Sequence, residues 1–173
     1  AHILDRFLTL EPNSKIYCIV RNKNNINYKQ RLKNTLQFYF GDQYLNDFDN
    51  RIKVINTDIT KPNLGLDDEA LKELAKNITS VVNSAALVKH YGDYSKFYLI
   101  NVTATKNIIE FCKKYDKKLY HISTTSVSGM GLPENNMKQS KTIKYFGEKD
   151  LYKGQNLENT YIKTKFEAEK LVL

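Results

Sequence analysis

Apolar positions along the chain change their period several times, and the changes divide it into alternating helices and strands. Ile3, Leu4, Phe7 and Leu8 predict the end of a helix over residues 1–9. Ile16, Cys18, Ile19 and Val20 then predict a strand over 15–20. A polar helix is expected over 28–40 and a strand over 52–57, after which Asp67 caps a helix running to about residue 76. A strand over 80–84, a long helix over 94–115 and a strand over 118–123 follow. The stretch to Asn159 is irregular, with one short helical piece expected in it. A last helix begins near Tyr161, built from good helix formers with apolar Ile162, Phe166, Leu171 and Leu173.

Strands alternating with helices define an α/β fold with a doubly wound parallel sheet, and short runs rich in Val and Ile fit strands buried on both faces. At 173 residues the length is that of one domain with a substantial core. A dinucleotide-binding sheet opens with a strand and a glycine-rich turn, yet no glycine precedes Gly41. The expectation is an incomplete Rossmann-like domain over 1–173, lacking that first strand and turn and a C-terminal substrate portion.

Composition excludes more than it assigns. No apolar run approaches the ~20 residues of a membrane-spanning helix, and no signal-peptide pattern opens the chain. Cys18 and Cys112 form no metal or redox motif, so a cytoplasmic protein with reduced, structural cysteines is expected. The net charge of +8 comes from lysines spread over every segment, with few arginines. Nucleic-acid binding needs clustering on one face or a recognition module, and neither is visible. The positive field instead favours an anionic cofactor or an acidic partner. His90 and His121 have no metal-ligand partners at useful spacing, so no metal is expected and packing roles suit both.

The chemistry sits near the C-terminal end. Tyr161 and Lys165 lie four residues apart, so they share one helix face and the ammonium favours the phenolate form of the tyrosine. Twelve tyrosines in a lysine-rich chain also produce chance pairs. Tyr145 and Lys149 form one, but Gly147 and a polar, loop-like approach make that segment a poor helix. Upstream, Ser123, Thr124, Thr125 and Ser126 offer hydroxyls just past a strand. Hydroxyl, phenol and ammonium together read as the triad of a nicotinamide-dependent reductase. Arg21 ends a strand where an NAD enzyme presents a carboxylate to the ribose 2′-hydroxyl. A cation there suits the 2′-phosphate of NADPH. Asn83, Ser84, Ala85 and Ala86 follow another strand, where small side chains let backbone lie close to a cofactor. Asn101 in the next helix offers an amide able to organise the site.

Several stretches in order, among them Lys15 to Arg21, Asn83 to Ala86, Asn101 to Thr105, Ile122 to Val127, Asp150 to Gln155 and Tyr161 to Glu169, resemble terminal thioester reductase domains of nonribosomal peptide synthetases. These are extended short-chain dehydrogenase/reductases close to carboxylic acid reductases. Asn83 departs from the usual histidine of that family and Ala104 from its usual glycine. The resemblance implies Thr124 as the catalytic hydroxyl beside Tyr161 and Lys165, with Lys165 also gripping the nicotinamide ribose. It implies Arg31 as a second phosphate contact, and Asp58 and Ile59 at the adenine edge. The implied reaction is NADPH-dependent reduction of an acyl or peptidyl thioester, held on the phosphopantetheine arm of a carrier protein, to an aldehyde or onward to an alcohol. Other members of the superfamily, acting on fatty acyl groups or nucleotide sugars, would use the same triad. A non-catalytic fragment or docking module is the alternative from outside enzymology.

Overall fold

The computed structural model describes residues 1–22, 25–89, 91–129, 146–147 and 149–173. His90 and Tyr145, both weighed from the sequence, lie outside them. The chain divides into two compact units, Ala1–Asp58 and Ile59–Leu173.

In the first unit, α1 (His2–Leu10), β1 (Ile16–Ile19), α2 (Tyr28–Phe40), α3 (Asp47–Asn50) and β2 (Ile52–Ile55) follow one another. β1 and β2 pair in parallel, Ile16 opposite Ile52 and Ile19 opposite Ile55. Asn27 caps α2 by accepting the Lys29 amide, and Gly41 ends it at φ +59°, a left-handed position that glycine adopts without a Cβ clash. Leu8, Leu36, Tyr44 and Ile52 form the core, with Leu4, Leu32, Phe48 and Val54 packed around it. Arg51 staples the corner: its guanidinium reaches the carbonyls of Leu8 (3.0 Å) and Glu11 (2.7 Å) and the carboxylate of Asp47 (2.9 Å). α3 escaped the sequence reading because four residues leave no period to detect.

The second unit opens with a 3₁₀ turn, Pro62–Gly65, followed by α4 (Asp68–Asn77), β3 (Ser80–Asn83) and a helical run over residues 94–114. Asp67 caps α4 as expected, accepting the Ala70 amide. The run, expected as one helix, comprises α5 (Tyr94–Phe97), a π segment (Tyr98–Thr103) and α6 (Ala104–Lys114). Then come β4 (Lys118–His121), a 3₁₀ turn at Thr125–Ser128 and α7 (Thr160–Val172). That turn is the short helical piece expected after the last strand.

β3 and β4 are parallel, and their register sets Asn83 beside His121 at the exits of both strands. Among the described residues the strands form two pairs, β1 with β2 and β3 with β4. The parallel sense agrees with the expectation, but burial on both faces does not hold for β4. Its residues alternate, and Tyr120 is 55% exposed. Lys118, Tyr120 and Ile122 fall on one side of the strand, so the period of two puts that side outward.

Leu71, Leu74, Phe97, Val102, Ile108, Phe111, Val127 and Ala168 make the core of the second unit. Leu71 is 1% exposed and sits in the middle of α4. Its replacement by Ala should cost about 2–5 kcal/mol, read as a lower urea midpoint with an unchanged slope.

Candidate functional site

α7 meets the exit of β4 through two tethers on successive residues. Lys165 is 3% exposed, and its Nζ donates to the Ile122 carbonyl oxygen at 2.7 Å. One helical turn on, the Glu169 carboxylate accepts from Ser123 Oγ at 2.8 Å. Burying an ammonium is costly unless acceptors meet it. Desolvation pulls the pKa of Lys165 down, and the charge of Glu169 opposes that pull. Thr124 follows Ser123 directly and caps the 3₁₀ turn, its hydroxyl accepting the Ser126 amide at 3.3 Å. Tyr161 stands one turn before Lys165 on α7, half-buried. Asn159 fixes the start of that helix, its side chain accepting the amides of Tyr161 (2.9 Å) and Ile162 (3.2 Å).

Behind this seam runs a chain of buried polar groups. Asn83 Nδ2 donates to His121 Nδ1 and to Thr105 Oγ1, each at 3.2 Å, while its Oδ1 accepts the Ala85 amide. Thr105 Oγ1 donates to the Asn101 carbonyl at 2.7 Å. Asn101, 1% exposed within the π segment, accepts the Leu87 amide at 2.7 Å and donates to Thr164 Oγ1 at 3.0 Å. Thr164 in turn donates within the first turn of α7, to the carbonyl of Thr160 (2.9 Å) or Tyr161 (3.1 Å). The strand exits, the loop after β3 and the helix carrying Tyr161 are thus tied by one network.

Because Nδ1 of His121 accepts from Asn83, the network assigns its proton to Nε2, which is buried without a partner. Burial and the nearby Lys165 charge push the imidazole pKa down to about 4. His121 is therefore uncharged at neutral pH.

A third connection involves Gln155, 2% exposed. Its Nε2 donates to the carbonyls of Val127 (3.1 Å) and Leu151 (2.7 Å), and its Oε1 accepts the Lys153 amide (2.7 Å). Gly129, at φ +76°, lies against it so closely that a Cβ there would meet Gln155 Cβ at 2.6 Å. The Thr125–Ser128 turn is held to the residues leading into α7.

The other predicted residues group in two places. In the first unit Arg21 pairs with Asp58 at 3.1 Å, and Arg31 donates to the Arg21 carbonyl. In the second unit the Ile59 carbonyl accepts from Asn107 Nδ2 at 2.9 Å, which also holds Lys61. Ser84 and Ala85 lie in the loop directly after β3. Sequence reasoning offered Ser123 only as one hydroxyl among four, and missed Thr105, Thr164 and Glu169. The spacing of Tyr161, Lys165 and Glu169, each four apart on one helix, was a usable signal for the last. Among the described residues no cluster of His, Cys, Asp and Glu is suited to hold a metal ion, and no helix is long and apolar enough to cross a membrane.

Parallel strands, strand-exit polar groups and a Tyr/Lys helix define an α/β protein of the nicotinamide-dinucleotide-binding class. The chain belongs to the NAD-binding family described as male sterility protein, whose model matches residues 1–173. It is 28% identical over 177 residues to a non-canonical nonribosomal peptide synthetase of Aspergillus campestris, matching 100% of this chain and 16% of that protein. It is 30% identical over 142 residues to the carboxylic acid reductase of Mycobacterium tuberculosis, over 75% of this chain and 12% of that enzyme. Among solved structures it resembles a thiolation-reductase di-domain from an archaeal non-ribosomal peptide synthetase, with a TM-score of 0.80 and 32% identity, over 99% of this chain and 44% of that one. The fold is that of the extended short-chain reductases, and the chain spans less than half the length of each of these relatives.

His121 generates a pH prediction. Its folded pKa of about 4 lies below the ordinary 6.5. Below pH 6.5 the unfolded chain takes up a proton that the folded chain refuses, so its contribution to stability is full above 6.5 and is lost as pH falls toward 4. Urea midpoints at pH 7 and pH 4.5 should differ less in a His121→Gln variant than in the parent.

Proposed function

We propose that this chain is part of an NADPH-dependent reductase that releases an acyl or peptidyl group from a carrier protein by reducing its thioester. The observation carrying the proposal is the seating of the Tyr161/Lys165 helix on the exit of β4, with Lys165 Nζ 2.7 Å from the Ile122 carbonyl and Thr124 two residues beyond. Similarity to a nonribosomal peptide synthetase and a thiolation-reductase di-domain supports a carrier-bound thioester as the substrate. Residues 1–173 are read as belonging to one NADP-binding domain, working in the reducing cytoplasm, where Cys18 and Cys112 remain free thiols.

The residues fit the cofactor on two counts. Lys165 gives one N–H to Ile122, and an ammonium has three to give, so donors remain for ribose hydroxyls. Arg21 and Arg31 are joined through the Arg21 carbonyl, and Asp58 offsets only one of their two charges. That donor set suits a phosphate on the 2′ position. Asp58 and Ile59 are assigned to the adenine edge, and Asn83, Ser84 and Ala85 to the strand exit along which the cofactor lies. Bound NADPH supplies the hydride.

The chain's own groups manage the carbonyl oxygen. The hydroxyls of Thr124 and Tyr161 donate to it as negative charge develops, and Tyr161 transfers its proton there. Lys165 stands one helical turn beyond Tyr161 on α7. Collapse of the thiohemiacetal then breaks the C–S bond, giving an aldehyde and the free thiol of the carrier arm.

In the intact protein, Tyr161→Phe should lower kcat at least ~100-fold while NADPH affinity stays near that of the parent. Unchanged turnover of a carrier-bound thioester would show that another group donates the proton. Arg21→Gln should weaken NADPH binding about tenfold or more and leave NADH binding nearly unaltered, measured by nucleotide fluorescence. Equal losses for both nucleotides would remove the 2′-phosphate assignment.

A further inference from the structure

We infer that Glu169, held in place by Ser123, is a positioning residue that maintains the ammonium form of Lys165 and so sets the upper pH limit of the Tyr161/Lys165 pair. The inference deepens the proposed function and rests on the reading of that pair as catalytic.

Tyr161, Lys165 and Glu169 follow one another at intervals of four along α7, so they form a ladder on a single helix face. Lys165 and Glu169 take different partners on the β4 exit: Nζ the Ile122 carbonyl, the carboxylate the Ser123 hydroxyl. The carboxylate is thereby fixed one turn from the buried ammonium rather than free to swing into solvent. A carbonyl dipole alone compensates a buried cation incompletely, and a fixed negative charge nearby supplies the remainder. In agreement, the charge of Glu169 raises the pKa of Lys165 against desolvation.

Among the described residues of β4, of the Thr125–Ser128 turn and of the helices packed against α7, no other group supplies such a charge. On β4, His121 is neutral above about pH 4. Asn83 and the hydroxyls of the Thr125–Ser128 turn are uncharged. α5, the π segment and α6 bring Tyr94, Tyr98 and Cys112 as titratable groups, and Tyr94 donates its hydroxyl to Glu167. The charged side chains of those helices, Lys96, Lys106, Glu110, Lys113 and Lys114, are all exposed. Lys163 on α7 is exposed as well and lies over the Tyr94 ring.

Glu169→Gln keeps an oxygen to accept from Ser123 but removes the charge, so it separates electrostatics from tethering. The direct measurement is the titration of the Lys165 side chain by ¹³C NMR in lysine-labelled intact protein, the signal assigned by its loss in Lys165→Arg. Glu169→Gln should move that titration down by about 0.5–1 pH unit, and the alkaline limb of kcat for thioester reduction should move with it. Glu169→Asp, which keeps the charge, should lie closer to the parent. A Glu169→Gln titration superimposable on that of the parent overturns the inference. If that variant does not fold, Ser123→Ala frees the carboxylate and is read the same way: a downward shift supports the inference and no shift overturns it. The NMR result stands apart from the catalytic reading, which fails separately if Tyr161→Phe retains turnover.

Discussion

A lysine that is 3% exposed must find compensation inside the protein, and the exit of β4 is where this chain supplies it. The Ile122 carbonyl takes one of its protons, and Ser123 anchors the carboxylate one turn further along α7. These two bonds fix both the height and the rotation of the helix over the strand end. Tyr161 is carried to its position by the helical repeat, and Thr124 is the next residue of the strand exit. One buried charge needing partners thus seats the helix that carries Tyr161 and Lys165 on the strand exit that leads to Thr124.

A second constraint acts from behind. Asn101, in the π segment, has its amide satisfied on both sides, by the Leu87 backbone and by Thr164 on α7. An α-helix with regular i to i−4 bonding would rotate that residue differently, and π segments recur where a side chain must be re-aimed at a working site. Asn83, Thr105 and His121 continue the network across the ends of β3 and β4. A network of this kind is valuable because its members are satisfied together, and it is costly to break at any one of them. The Nε2 of His121, buried without a partner, is the exception, on an imidazole that burial, and after it the Lys165 charge, keeps neutral.

Much of the architecture was legible in the sequence wherever a repeat or a cap was long enough to detect. The helix over Tyr28–Phe40 and the Asp67 cap are found where expected, because the period of apolar positions and the side-chain bond to a helix amide are both local. α3, the Pro62–Gly65 turn and the π segment were not legible. The first two are shorter than any period, and in Pro62–Gly65 Asn63 and Leu64 adopt left-handed angles that no local pattern announces. Leu64 is buried there, so packing holds a conformation that a branched side chain disfavours.

The sequence by itself determined the alternation of strands and helices, the pairing of Tyr161 with Lys165 on one helix face, and the small residues after β3, since each depends on neighbours within a turn or a strand. Only the tertiary structure decided that Lys165 is buried on Ile122, that Ser123 holds Glu169, that Asn101 reaches Thr164, and that Arg21 answers Asp58. Those partners lie 37 to 63 residues apart along the chain. Bonds across such separations form only after the strands are in register and the helices packed, and no local spacing encodes them.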